Sequence, residues 1–252
     1  MRTEPIPVDV LAVGAHPDDI ELFMAGTLLK LGALGYRIGL VDLTRGELGS
    51  RGTPADRRAE AVEAAVRLDA TFRANLDLPD GSVFVTDDAR RAMVRILRRA
   101  RPKIVFTHHP SEEHPDHVHG SRLVTEACHH ARLVNYDRET GLERHKPNAL
   151  IHFAATANVL PSFFVDISEH FDAKYHVLAA HVSQLHRPGS RDPETYLSKS
   201  DFIKQRRATD IHRGSLIGVA AAEGFVVNQP LAVADPVALF EGPGTSGQGS
   251  GL

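Results

Sequence analysis

Residues 10–22 read VLAVGAHPDDIEL. The run from Val10 to Gly14 has no polar break, as expected of a strand buried on both faces of a parallel sheet. It ends abruptly in charge: His16, Asp18, Asp19 and Glu21 bring one imidazole and three carboxylates to its end. Just beyond, Ile20, Phe23, Met24, Thr27, Leu28, Leu31 and Leu34 recur at helical spacing, and Gly35 suits the residue after the helix. A buried strand therefore feeds a helix through a polar joint that a core has no use for.

Outward from that joint the alternation continues. Arg37–Leu43 reads as a second strand, so the first helix is a crossover between parallel strands. A helix follows over 54–69, with Pro54 in its first turn. A short strand near Phe72 to Leu76, a helix over about 87–101, a strand over Pro102–His109 and a helix over about 115–132 complete this half. The pattern predicts an α/β, Rossmann-like fold, a mostly parallel sheet with helices on both faces. From Lys146 the alternation loosens: NALIHFAA (148–155) and SFFVDIS (162–168) read as strands, 168–184 and 200–211 as helices. HRPGSRDPETY (186–196) is a polar loop long enough to border a site or a subunit contact. We expect one α/β domain over residues 1–240, no internal repeat, and a disordered Gly/Ser-rich tail over 241–252.

Composition narrows the function classes. The 252 residues carry 29 Lys and Arg against 32 Asp and Glu, a net charge of −3, with no basic stripe to bind nucleic acid. No apolar segment is long enough to span a bilayer, and MRTEPIPVDV lacks the apolar core of a secretory signal. A single cysteine, Cys128, excludes an intrachain disulfide and fits the reducing cytoplasm, the expected location. It reads as core packing.

In open parallel sheets, ligands bind beyond the carboxyl ends of the strands. His16, Asp18 and Asp19 follow the first strand directly. His114, Asp116 and His117 follow the strand that ends near His109, at the same rim. A catalytic zinc site takes three N or O ligands and leaves a position open. His16, Asp19 and His117 can supply them, leaving Asp18 free to act as a general base. Fe(II), Mn(II) or Co(II) would suit the same ligands. Either motif alone could be a helix-capping turn, with Asp18, Asp19 or Asp116 binding backbone N–H groups. Together, at one rim, they favour a metal. His108 and His109 read as supporting or structural residues.

AHPDDIE (15–21) followed by HPDH (114–117) resembles the zinc-dependent N-acetylglucosaminyl deacetylases, the LmbE-like or PIG-L family, over about Val10 to Val226. DLTRGELGSRGTPADRRAEA (42–61), LDLPDG (76–81), RPKIVFTHH (101–109), VDIS (165–168) and SLIGVAAAEGF (215–225) are similar to the bacillithiol-pathway branch, which acts on N-acetylglucosaminyl malate. The resemblance implies zinc on His16, Asp19 and His117, with Asp18 as base. It implies that His114 stabilises the oxyanion while Asp116 keeps it charged and aligned. It also implies that Arg57 grips sugar hydroxyls; without it, Arg57 would read as a solvated helix residue and Arg58 would do as well. A small sugar conjugate is the implied partner, and a homo-oligomeric trimer or hexamer the implied assembly. A malate aglycone predicts cations at the pocket mouth, with Arg45, Arg51, Arg187 and Arg191 as candidates. The rival readings are a zinc amidase for N-acetylglucosaminyl inositol or a chitin-type oligosaccharide, and a non-catalytic metal- or nucleotide-binding module. Nucleotide binding is disfavoured because AHPDD is no G-x-G-x-x-G turn, and its carboxylates would repel a pyrophosphate.

Overall fold

A computed structural model describes residues 4–155 and 159–237. The tail expected to be disordered lies outside the described residues. The first half alternates as the sequence predicts: β1 (Val10–Gly14), α1 (Asp19–Ala33), β2 (Ile38–Thr44), α2 (Pro54–Arg67), β3 (Phe72–Leu78), α3 (Asp87–Ala100), β4 (Ile104–Thr107) and α4 (Pro115–Ala131). β5 (Ala149–Phe153), β6 (Phe163–Asp166), α5 (Phe171–Leu178), α6 (Phe202–Ser215) and β7 (Ala222–Val227) follow.

The strands form one sheet in the order β3-β2-β1-β4-β5-β7-β6. The pairs from β3 to β5 are all parallel, and β7 runs antiparallel to both β5 and β6. Strand order reverses between β1 and β4. The loops after these two strands therefore open the crevice where ligands bind in such sheets.

Side chains alternate across the strands. Val10 and Ala12 join Leu28, Leu40, Phe106, Phe153 and Phe225 on one face. Leu11 and Val13 join Met93, Leu97, Val105 and Leu123 on the other. Each layer of helices thus closes its own core, and every residue of β1 is buried.

The second half departs from the sequence pattern in two places. β7, which no periodic pattern marks, lies inside the sheet between β5 and β6. The helix expected over 168–184 is only α5, preceded by a single 3-10 turn over Ser168–His170 and followed by turns. α1 is also interrupted: Met24 leaves helical geometry (φ −148°, ψ 15°). That break frees the amides of Gly26 and Thr27, which donate to the Glu223 carboxylate of β7 at 3.1 and 2.7 Å. Among the described residues, no helix is long and apolar enough to cross a membrane.

Candidate metal centre and active site

The turn after β1 is pinned from two sides. The Ala15 amide donates to His108 Nε2 at 3.0 Å, joining the loops after β1 and β4, and the His16 amide donates to Asp19 Oδ2 at 2.7 Å. Asp18 makes no side-chain cap on α1, so simple capping does not explain the paired carboxylates. Capping does occur in HPDH: His114 precedes α4, and its Nδ1 accepts from the Asp116 amide.

One donor atom from each of His16, Asp19 and His117 lies within 4.8 Å of the others. His16 Nδ1 is 3.4 Å from Asp19 Oδ2, and His117 Nε2 is 3.4 Å from Asp19 Oδ1. On its other edge, His16 Nε2 meets Asp80 Oδ1 at 3.2 Å and Asp116 Oδ2 at 3.5 Å. Carboxylates accept, so Nε2 carries a proton toward Asp80 and Asp116, while Nδ1 faces Asp19 and, without a metal, carries a second proton. A cation between His16, Asp19 and His117 would take the place of such protons.

The electrostatics agree. Burial pulls the His16 pKa down, but Asp116, Asp19 and Asp80 outweigh it and hold it well above 6.5. Burial likewise opposes charge on His117, which Asp19 and Glu112 nevertheless raise to about 9. Burial raises the Asp19 pKa, yet His117 and His108 bring it well below 3.8. The cluster demands positive charge, and a divalent ion would displace the protons that otherwise supply it.

Asp18 behaves oppositely. Burial lifts its pKa above 3.8, with Arg57 pulling back and Asp19 adding to the rise. Arg57 is buried, and its guanidinium is spent on Asp18 Oδ2 (3.1 Å), Pro17 O (3.3 Å) and Gly46 O (3.0 Å). Only its Nε lacks a partner; Arg57 thus grips Asp18 and also lines the cleft, where the expected sugar hydroxyls would lie. Gly46 makes room for this. It sits at φ +66°, and a Cβ there would fall 1.7 Å from Arg57 Nη1. Arg58 is exposed.

The Asp116 carboxylate accepts from the Gly81 and Val83 amides at 2.7 and 3.1 Å and faces His16, so it holds the 81–83 turn, and its charge raises the His114 pKa from a distance. Burial, His16 and His117 all lower the His114 pKa. With Nδ1 accepting from the Asp116 amide, the His114 proton sits on Nε2, and the ring offers a neutral N–H rather than the expected imidazolium.

The cleft above this cluster has a volume of about 1270 Å³ and is bordered by Asp18, Asp19, His114, His117, Arg206 and Arg213, among others. None of the four arginines expected at its mouth lines it. Arg45 pairs with Glu47 and Asp77. Arg51 is buried and donates to Ser183 O, Pro193 O and Leu185 O. Arg187 borders a separate, smaller cavity, and Arg191 is exposed.

The profile described as PIG-L: GlcNAc-PI de-N-acetylase matches residues 11–128. Diacetylchitobiose deacetylase of Thermococcus kodakarensis is 30% identical over 229 residues, covering 86% of this chain and 81% of the relative. The chain belongs to the GlcNAc-PI de-N-acetylase (PIG-L) family. As a member of that family it is a deacetylase, an amide-hydrolysing enzyme. The 1D-myo-inositol 2-acetamido-2-deoxy-alpha-D-glucopyranoside deacetylase of Actinosynnema mirum is 25% identical over 231 residues, covering 71% of this chain and 81% of that one. A conserved protein of Thermus thermophilus superposes with a TM-score of 0.80 at 35% identity, covering 90% of this chain and 97% of the other. It matches this mostly parallel α/β architecture.

Several residues support this PIG-L site; of those below, only His108 is singled out by the sequence. Asp80 follows β3 to the same rim, a placement that could have singled it out. His108 contacts Asp19 Oδ2 at 3.1 Å and stacks on His117, their ring centroids 3.8 Å apart. Glu112 approaches His117 Nδ1 at 3.6 Å. Arg206 and Arg213 come from α6, a helix that carries no motif.

Proposed function

We propose that this protein hydrolyses the acetamide of an N-acetylglucosaminyl conjugate with the help of zinc held by His16, Asp19 and His117. The observation that carries the reading is Asp18, a buried carboxylate with a raised pKa, at the cleft and beside a His and Asp cluster fit for a cation. What zinc supplies in such a site is Lewis acidity, which makes water acidic near pH 7 and draws electrons from a carbonyl oxygen.

The chain's own residues do the rest. Asp18 removes a proton from the attacking water. Arg57 holds the carboxylate in place and keeps its pKa from climbing further. The His114 Nε2–H donates to the oxyanion that develops on the acetamide oxygen. When the C–N bond breaks, Asp18 returns its proton to the departing nitrogen, leaving acetate and a free amine. Asp116 keeps the 81–83 turn and His16 in register.

N-acetylglucosaminyl malate, within bacillithiol biosynthesis, is the conjugate we propose, supported by the five stretches similar to that branch. A chitin-type or inositol-linked substrate is the second reading, favoured by the named activities of the two relatives. A cytoplasmic setting and assembly into a trimer or hexamer belong to the same proposal, as does a single domain over residues 1–240. Acetate release from the malate, inositol and chitobiose conjugates and from free N-acetylglucosamine, with the zinc-loaded protein, tests it. The malate conjugate should give the highest kcat/KM. Equal turnover of all four would remove the malate assignment, and no acetate from any would remove the deacetylase reading.

A further inference from the structure

We propose that Arg206 and Arg213 form a subsite for an anionic group, carboxylate or phosphate, carried by the sugar conjugate. The inference rests on the deacetylase reading and assigns the far end of its substrate. Both side chains come from α6, both border the catalytic cleft, and neither has a carboxylate within 4.0 Å among the described residues.

Their hydrogen bonding is sparse for guanidinium groups, one buried (Arg206) and one half-buried (Arg213). Each carries five N–H donors. Arg206 donates only to Leu22 O, at 3.4 Å, although it is 9% exposed, and its buried Nε has no partner. Arg213 donates only to Ala154 O. A buried cation without a counter-charge is costly. Here burial and the neighbouring Arg206 together pull the Arg213 pKa below its ordinary value.

The acids on this side of the fold are already engaged. Lys174 Nζ lies 2.6 Å from Asp210 and 2.9 Å from Glu223. Asp210 also accepts from the Tyr175 hydroxyl at 2.8 Å, and Glu223 accepts two amides of α1. Lys174 thus takes up both carboxylates, and the two guanidinium groups at the cleft have no carboxylate in contact. An anionic ligand would supply the missing charge, and a guanidinium fork suits the two oxygens of a carboxylate or phosphate.

The placement fits a conjugate whose amide sits at the metal cluster. The Arg206 guanidinium carbon lies 5.7 Å from the Phe23 ring centroid, and the same ring lies 6.4 Å from that of His117. One phenyl ring therefore separates the anion subsite from a proposed metal ligand. Leu160 and Phe164 also line the cleft.

Calorimetric titration of the zinc-loaded protein with glucosaminyl malate, glucosamine 1-phosphate and methyl glucosaminide tests the proposal without requiring turnover. The better anionic ligand should bind at least about tenfold tighter than the methyl glycoside, the scale of one hydrogen bond to a charged group, and salt should erode the difference. Whichever of malate and phosphate shows the larger ratio identifies the anion. Arg213→Gln, at a half-buried position, should bring the ratio close to one. Arg206→Lys, which keeps the charge and loses the fork, should leave it in between. A ratio near one in the wild type, or a ratio that survives both Arg213→Gln and Arg206→Gln in folded protein, would overturn the subsite. Loss of the deacetylase reading would look different: no acetate from any conjugate, with the affinity ratio intact.

Discussion

Asp18 and Asp19 are adjacent in the chain, and the fold sends their protonation in opposite directions. Asp19 faces three histidines and stays ionised, as a ligand must. Asp18 turns toward Arg57 in a buried site, where its affinity for a proton rises, as a general base requires. The difference makes their substitutions separable. Asp18→Asn should retain the metal, measured by elemental analysis, and lose most of its kcat; full metal content with near-normal kcat would remove Asp18 from the chemistry. His114→Ala should also retain metal and slow turnover by a factor on the order of 10²–10³, the usual cost of one oxyanion donor. Because His114 donates as a neutral imidazole, its contribution should persist above pH 7 rather than vanish there.

Between elements, buried charge does what apolar packing does elsewhere in the sheet. Glu21 of α1 pairs with Arg73 of β3, which in turn grips Asp42 of β2 through two nitrogens. Burial would raise the Glu21 pKa, yet Arg73 and His181 hold it down at about 2. Arg73→Leu would leave the buried Asp42 unpaired and Glu21 with His181 alone, and should cost about 3–5 kcal/mol of stability in denaturant melts; a cost below about 1 kcal/mol would mean that water reaches the pair. Such ties mark the limit of reading elements from sequence. β1 through α4 were legible because buried strands and amphipathic helices repeat at fixed periods. β7 was not, because Ala222, Glu223 and Gly224 mimic a polar loop until Lys174, almost 50 residues away, neutralises the glutamate. The ligand motifs were legible because His and Asp crowded two strand ends. The partners of Arg57 and Asp116 were not, since nothing local shows that Gly46 opens a path to Asp18 or that the 81–83 turn takes up a carboxylate.

Taken as a whole, the molecule concentrates depressed carboxyl pKa values in structural ties as well as in the site. Arg95 and Arg91 hold Asp137 down at about 2, as Arg73 and His181 do Glu21. A group whose folded pKa lies below its unfolded value contributes its full stability above the unfolded value and loses it as pH falls through the folded one. The unfolded values are about 3.8 and 4.5. With the metal removed, Tm should therefore vary little with these two groups above about pH 5 and fall steeply between about 4.5 and 2, read from melts across a pH series. A Tm that stays level down to pH 2 would show that these pairs do not carry the fold.

The break in α1 has a bearing on how the protein is made. Every proposed metal ligand and the proposed base have been translated by His117, but the far half of α1 is capped only when Glu223 arrives on β7. On a ribosome releasing the chain from its amino end, the catalytic turn would wait for β7, the last strand of the described residues. A nascent chain stalled near Gly218 should stay open to protease within α1, and release of the next ten residues should close it. Synthesis itself would then delay hydrolytic competence until β7 has left the ribosome.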